Sequence, residues 1–334
     1  MIKKIVLSLS LVLIAILAVF LVGNDYQMKE QRVSIPTTGG TLSAVITAPK
    51  KQKISGIVVF VHGDGPQEAT QEGGYKPMME RFAKQGYASI SWDKLGVGQS
   101  SGNWLSQSMD DRAKEVEQVI KWLKENKPEM VDKIGLWGAS QAGWVIPKVL
   151  NSQEDIAFSI LVAPAINWQI QGKYNTMEEL RAAGKSEQEL QKAGVDFDAE
   201  SELIKKNNSY QDYLKSGGEY DLSEDRYGFI QRNINSDASK DLEGVRSKIY
   251  LVLAEKDQNV DSDETKRIYS QKIANGSLQV KVIKNAEHMM LNPKIAHSSF
   301  LIQTIGLFLP KYFLINEDYL NYCENSLKEQ QEEF

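Results

Sequence analysis

The chain has 334 residues, of which 42% are apolar and 25% charged, a globular composition with room for one large domain carrying an insertion. Its formal net charge is -5 and no block of Lys and Arg is long enough to track a phosphate backbone, which excludes a nucleic-acid footprint. A single cysteine, Cys323, excludes an intramolecular disulfide framework and a thiolate-rich metal cluster.

Lys3 and Lys4 precede an uncharged apolar run over residues 5–22. As a helix this run would be about 27 Å long, close to the hydrocarbon thickness of a bilayer. Small residues are badly placed for cleavage, with only Gly23 and Ala18 available at the relevant ends. Residues 1–23 are therefore expected to form a membrane anchor through 5–22, a removed signal peptide being the alternative. The two lysines would stay cytoplasmic by the positive-inside rule and place the remainder outside, anchored or, after cleavage, secreted.

Strands are predicted over 32–34 and 42–47, joined by the Pro-Thr-Thr-Gly-Gly turn at 36–40. The continuous β-branched and aromatic run 57–61 reads as a strand covered on both faces of a parallel sheet, and it ends in His62-Gly63-Asp64-Gly65-Pro66. Tyr75, Met78, Met79 and Phe82 fall at helical spacing, followed by a strand over 87–92 and a glycine-rich turn at Gly96 and Gly98. Ser108 and Asp111 form a capping-box signal for a helix whose buried stripe is Val116, Val119, Ile120 and Leu123. A short strand over 133–137, a helix over 141–150 and a strand over 158–163 continue the alternation.

That rhythm stops over 169–246, where polar residues dominate and amphipathic helices are predicted at 177–192 and 199–215. Leu180, Leu190, Leu203, Tyr210, Tyr213 and Leu214 would either face inward over a site or pack this segment internally. A strand over 248–254, a helix over 263–273, a strand over 278–283 and an apolar helix over 300–308 follow. The last segment, 315–334, is acidic and reads as a solvated or frayed helix. The expected architecture is α/β: a mainly parallel sheet with helices on both faces, a core made of 24–168 and 247–314, and 169–246 inserted as a helical cap.

Every chemically suggestive group follows a predicted strand, where a parallel sheet presents its ligands. Gly138-Ala139-Ser140-Gln141-Ala142-Gly143 sits between a strand and a helix, as a nucleophile elbow requires, with Ser140 as nucleophile. The backbone N–H groups of Asp64 and Gln141 are the candidate oxyanion donors, with His62, Gly63 and Gly65 shaping the loop. A carboxylate at Asp64 would repel an oxyanion if it pointed inward, so it should turn away or bind a cation. Among the histidines His62, His288 and His297, His288 follows the last predicted strand and suits the base, while His297 reads as a cap or packing residue. Asp257 is the candidate orienting acid, with Asp261 and Asp263 as rivals that could equally cap a helix. Asp93 is expected to hold the loop backbone beside it.

Over residues 31–308 the chain resembles the α/β-hydrolase superfamily, and within it bacterial serine aminopeptidase-like and esterase-like members. The likeness rests on His-Gly-x-Gly-Pro at 62–66, the Asp93-Lys94-Leu95-Gly96-Val97-Gly98-Gln99-Ser100 turn, the elbow, and the chain order Ser140, Asp257, His288. It departs at Lys94-Leu95, where such turns often have an arginine before the glycine, and at Ala142, where the elbow usually has glycine. What the resemblance implies is hydrolysis of an ester, thioester or amide with no cofactor and no metal. The leading expectation is a carboxylesterase-like serine hydrolase acting on a small-molecule ester through an acyl-enzyme. The alternatives are a peptidase or amidase of aminopeptidase type, with Asp64 or a cap carboxylate holding the substrate ammonium, and a non-catalytic surface binding protein on the same fold.

Overall fold

The computed structural model describes residues 2–219, 221–274 and 276–332, without the side chains of Ile2, Lys3, Ile5, Val6 and Leu9. Its strands are β1 (Met28–Thr37), β2 (Gly40–Pro49), β3 (Gly56–Val61), β4 (Tyr87–Trp92), β5 (Ile134–Ala139), β6 (Ile156–Val162), β7 (Lys248–Ala254) and β8 (Leu278–Ile283). They form one sheet in the order β1-β2-β4-β3-β5-β6-β7-β8. The β1–β2 and β2–β4 pairs are antiparallel, and from β4 to β8 all neighbours run parallel. The helices are α1 (Ile2–Gly23), α2 (Lys76–Lys84), α3 (Met109–Asn126), α4 (Ile146–Ser152), α5 (Trp168–Ala182), α6 (Glu187–Lys206), α7 (Tyr210–Lys215), α8 (Glu224–Asn233), α9 (Ser239–Gly244), α10 (Ser262–Lys272), α11 (Ser299–Phe308) and α12 (Glu317–Glu332).

Strand β3 shows how the sheet is sealed. Ile57, Val59 and Val61 enter the core beneath α3, α4 and α10, while Val58 and Phe60 enter a second core with Phe82 of α2 and Leu320 and Leu327 of α12. Period-two alternation with apolar residues on both faces is the signature of a strand covered twice. The opening hairpin is longer than predicted because β1 lies at the sheet edge: Lys29, Glu30 and Gln31 are exposed and carry no apolar signal.

The C-terminal segment corrects the expectation of a solvated tail. Tyr319, Leu320, Cys323 and Leu327 of α12 are buried against the sheet. Their spacing is an apolar stripe that the surrounding acids mask in a composition reading. Those acids have partners: Arg81 of α2 bonds Glu317 at 2.5 Å and Glu324 at 2.6 Å.

Between β6 and β7 stand α5 to α9. The predicted helix 177–192 crosses a break where Gly184 takes a φ of +74° and Ser186 caps α6 in a capping box with Glu189, and the predicted helix 199–215 crosses a second break between α6 and α7, where Ser209 caps α7. Of the candidate inward residues, Tyr213 packs inside this unit with Ile204, Tyr227 and Ile234, joined by Leu203, Tyr210 and Leu214, and Leu190 is also buried.

Helix α1 covers the run expected to anchor the chain, although the side chains of Ile5, Val6 and Leu9 lie outside the described residues. Among the described residues no helix is long and apolar enough to cross a membrane. Where α1 ends, Asn24 accepts a hydrogen bond from the Lys311 amide at 3.1 Å, and a side chain at Gly23 would collide with Pro310.

Leu320 is fully buried, so Leu320→Ala is expected to lower unfolding free energy by about 2–5 kcal/mol. Glu332, which is exposed, should tolerate alanine without a shift in the urea midpoint. Equal midpoints for both variants and the parent chain would return the segment to solvent.

Candidate active site

Ser140 follows β5 directly and has a φ of +53°, a left-handed conformation that non-glycine residues rarely adopt. A 3₁₀ turn over Ser140–Trp144 then leads into α4, in place of the predicted continuous helix. The turn is tight enough that a Cβ on Gly138 would fall 2.6 Å from the Ala142 methyl, and one on Gly143 would collide with the Ala165 backbone. Ala142 therefore fits because Gly138 lacks a side chain, and the close approach to the next strand's loop is made by Gly143.

His288 comes after β8 and Asp257 after β7. The imidazole Nδ1 lies 2.9 Å from Asp257 Oδ2 and 3.0 Å from Oδ1. The Asp257 carboxylate is fully buried and also accepts the amides of Asn259 at 2.8 Å and Val260 at 2.9 Å. These bonds fix its plane, and a carboxylate so placed holds the proton of a neutral imidazole on Nδ1 and leaves Nε2 free to accept. The rival Asp261 caps α10 instead, accepting the amides of Asp263 and Glu264 at 3.0 Å. His297 is exposed, and the side chain that caps α11 is that of Ser298.

The loop after β3 lies beside Ser140: a Cβ on Gly63 would stand 3.5 Å from the serine Cβ. Gln141, whose amide is the other candidate oxyanion donor, occupies the first turn of the 3₁₀ helix, where amides have no acceptor within the helix. His62 donates from Nε2 to the Trp92 carbonyl at 2.6 Å, which leaves Nδ1 to accept from the Tyr75 hydroxyl at 3.2 Å. Burial, and after it the charge of Lys94, push this histidine down to about 3, so it braces the loop as a neutral group. Asp93 holds the next loop, accepting the amides of Ala69 at 2.8 Å and Gln99 at 2.9 Å and pairing with Arg32 at 3.2 Å.

Two supporting cations have no role assigned from the sequence, where Lys94 stands only as a departure from the family pattern and Arg112 is not singled out. Lys94 is buried and donates to the carbonyls of Gly63 at 2.6 Å and Gly65 at 2.9 Å, with its ammonium 4.7 Å from the centre of the Trp104 ring. Burial first, then the charge of Arg112, lower its pKa well below the usual lysine value. Arg112, buried on α3, donates to the His62 carbonyl at 2.7 Å and to Gln141 Oε1. Its signal was positional: it falls three residues after Met109 and four before Val116, on the helix's buried stripe. The Asp64 carboxylate pairs with Arg226 of α8, at 3.0 Å to Oδ1 and 2.7 Å to Oδ2, and accepts from Gln141 Nε2 at 3.0 Å. Burial alone would raise its pKa, but the hydrogen bonds and charge of Arg226 outweigh this and hold the carboxyl below its ordinary range.

Ser140, His288, Gly63 and Asp64 open onto one cavity of about 400 Å³. Its apolar wall includes Met78, Trp137, Met290, Leu314 and Leu320, drawn from the core and the C-terminal segment. Among the described residues none from 169–246 lines it, so of the two roles open to cap residues such as Leu180, Leu190 and Leu203, lining this cavity is not observed. The unit touches the site at its polar edge instead: Tyr174 donates to the Asp257 carbonyl at 2.9 Å and Gln171 to the Asn259 carbonyl at 2.8 Å.

The profile of the serine aminopeptidase family S33 matches residues 52–294, and the chain belongs to that family. It is a hydrolase of the α/β type, an enzyme class whose catalytic groups stand on loops after the strands. Among solved structures it is similar to an esterase of Pyrococcus furiosus, with a TM-score of 0.56 and 17% identity over 90% of this chain and 93% of that one. It is also similar to Est1E of Butyrivibrio proteoclasticus, solved with ferulic acid, with a TM-score of 0.56 and 14% identity over 90% and 98% of the two chains. A predicted CIB-like hydrolase from Thermoplasma acidophilum has a TM-score of 0.51 at 14% identity, over 90% and 99%. At these identities the likeness is one of fold. No curated protein matches the chain.

Asp257→Asn should fold normally and lose roughly 10³–10⁴-fold in kcat, because the amide cannot hold the imidazole in the tautomer that accepts a serine proton. Activity within a few-fold of the parent would remove Asp257 from the catalytic set.

Proposed function

We propose that the protein is a serine ester hydrolase working through an acyl-enzyme. The observation that carries this reading is the joint opening of Ser140 and the Asp257-bound His288 onto one mainly apolar cavity. Ser140 Oγ attacks the ester carbonyl carbon while His288 Nε2 takes the hydroxyl proton. The carbonyl oxygen becomes an oxyanion received by the amides of Asp64 and Gln141. Collapse breaks the bond to the alkoxy group, which leaves with the proton held by His288. Water, deprotonated by the same imidazole, then attacks the acyl-enzyme and releases the carboxylic acid and Ser140.

The choice of ester over an aminoacyl amide rests on charge. A free substrate ammonium needs a carboxylate, and among the described residues Asp64 is the one acidic residue lining the cavity; both of its oxygens are engaged by Arg226. The apolar wall is suited to the acyl chain of an uncharged ester.

We also propose that residues 5–22 anchor the enzyme in a membrane, with the catalytic domain on the extracytoplasmic side. Helix α1, at about 33 Å, exposes Leu7, Leu11, Leu13, Leu17 and Leu21. Beside its end, α11 exposes Phe300, Leu307 and Phe308 and carries no charged residue. Apolar surface of this extent is suited to lipid.

A fluorophosphonate probe should label the full-length chain, and Ser140→Ala should abolish both labelling and turnover of p-nitrophenyl esters. Faster turnover of aminoacyl amides than of esters would favour the peptidase reading, and a folded chain that neither labels nor turns over substrate would favour a binding protein. On fractionation the chain should sediment with membranes and remain there in high salt. Release by salt alone, or a mature N-terminus near Gly23, would contradict the anchor.

A further inference from the structure

Two features of the oxyanion loop pull in opposite directions. Asp64 is the candidate to offer an amide to the developing negative charge, while its own carboxylate belongs to the same loop, which passes Ser140 at Gly63 and lines the same cavity. An unpaired carboxylate there would raise the energy of the tetrahedral intermediate by like-charge repulsion. The carboxylate is, however, fully engaged. Oδ2 accepts from Arg226, and Oδ1 accepts from both Arg226 and Gln141 Nε2.

Those bonds belong to a chain that crosses the site: Arg112 donates to Gln141, Gln141 donates to Asp64, and Arg226 donates to Asp64 from the far side. The two residues whose amides would receive the oxyanion are therefore tied to one another through their side chains, with a cation at each end. One end, Arg112, is buried in the core. The other, Arg226, is the member that the inserted unit supplies.

Arg226 is held in place by more than its ion pair. Its guanidinium lies 5.0 Å from the centre of the Phe229 ring and 5.9 Å from that of Trp104, and these two rings meet edge to face at 5.3 Å. Further along α8, Asn233 accepts the Met109 amide at 2.9 Å and donates to the Gln107 carbonyl at 3.1 Å, fixing the helix to the start of α3. A bidentate guanidinium on an aromatic shelf is a preorganised arrangement, with little freedom left to lose on pairing.

We infer that Arg226 is a positioning residue for the oxyanion hole: by holding the Asp64 carboxylate and neutralising it, this arginine lets the Asp64 amide serve a developing negative charge. This deepens the hydrolase reading and rests on Ser140 as nucleophile and on the Asp64 amide as an oxyanion donor. It also gives the inserted unit a part in catalysis that does not depend on touching substrate. Displacing α8 withdraws the guanidinium and leaves a bare carboxylate beside the reaction centre, so turnover is coupled to the seating of α8.

The test uses the full-length chain and p-nitrophenyl acetate, an ester too small to depend on the acyl wall. Arg226→Ala should lower kcat by about tenfold or more, with KM within about twofold, since the loss falls on the charged transition state. Arg226→Lys, which keeps the charge and loses the fork, should lie between the two. Introduced into a chain already carrying Asp64→Asn, Arg226→Ala should cost less than about twofold, because no carboxylate remains to be neutralised. Should the alanine variant fail to fold, Arg226→Gln carries the same comparison with a donor but no charge. An unchanged kcat in Arg226→Ala overturns the inference. So does an equal loss in the Asp64→Asn background, which would mark the arginine as merely structural. If Ser140→Ala retains full activity, the hydrolase reading itself falls, an outcome distinct from either of these.

Discussion

The site depends on a backbone reversal confined to one residue. At the end of β5 the chain must leave a strand buried on both faces and enter a helix that packs back on the sheet, and it does so with Ser140 at a φ of +53°. For a residue with a side chain that conformation costs about 1–2 kcal/mol. The surrounding contacts leave little alternative: Gly138 and Gly143 admit no side chain, and the Ser140 carbonyl accepts the Ala165 amide at 3.0 Å. Because the turn is sharp, the hydroxyl stands above the sheet edge rather than within it. The loops after β3, β7 and β8 end at the same edge and supply the other groups.

Around that serine the protein manages charge by enclosure. Lys94 and Arg112 are buried, and both donate to backbone carbonyls of residues 62–65. Occupying the carbonyls fixes the orientation of the peptide planes and leaves the amides of the loop for other use, the kind of preorganisation that an oxyanion site requires. Lys94 also lies near the Asp64 carboxylate and, after the hydrogen bonds and charge of Arg226 and the Gly65 amide, helps hold its pKa below the ordinary range against burial. Glu115 balances part of this positive charge from within the core, accepting from Trp92 Nε1 at 2.8 Å and Gln107 Nε2 at 2.9 Å; burial raises its pKa above the ordinary carboxylate value.

How much of this was readable from sequence differs by element for identifiable reasons. Strands β3 and β7 are plain in the sequence because burial on both faces leaves long apolar runs, 56–61 and 249–254, whereas β4 is legible despite its buried Ser89 and Ser91. Asp257 could be separated from Asp261 only in part, since a helix cap and an orienting acid are the same residue type, and the distinction lies in which side chain the fold brings to His288. The break between α5 and α6 did have a local signal, glycine followed by a Ser-x-x-Glu box, but it was hidden within one long polar stretch. Lys94 departs from the family pattern in the sequence. Its burial follows from the Gly63 and Gly65 carbonyls, and no local pattern reports partners that lie some thirty residues away in the chain.

The misreading of the C-terminal segment has the largest functional consequence. Ile315, Tyr319 and Leu320 belong both to the core that α12 packs and to the cavity beside Ser140, which Leu314 also lines. The strap that precedes them is closed by a bridge between Leu291 and Ile315 and by the Asn292 amide bonded to the Leu314 carbonyl at 2.8 Å. The same strap carries His288, Met289 and Met290 at its start. The C-terminal part of the apolar wall and the candidate base therefore share one stretch of chain, whereas among the described residues the inserted unit reaches the site through Arg226 and Tyr174 and contributes nothing to the wall. Shape selection and charge control are thus assigned to different segments. A substitution in α12 can alter the shape of the cavity without disturbing the Asp64–Arg226 pair, and a shift of α8 can alter the charge in the loop after β3 without changing the cavity's walls.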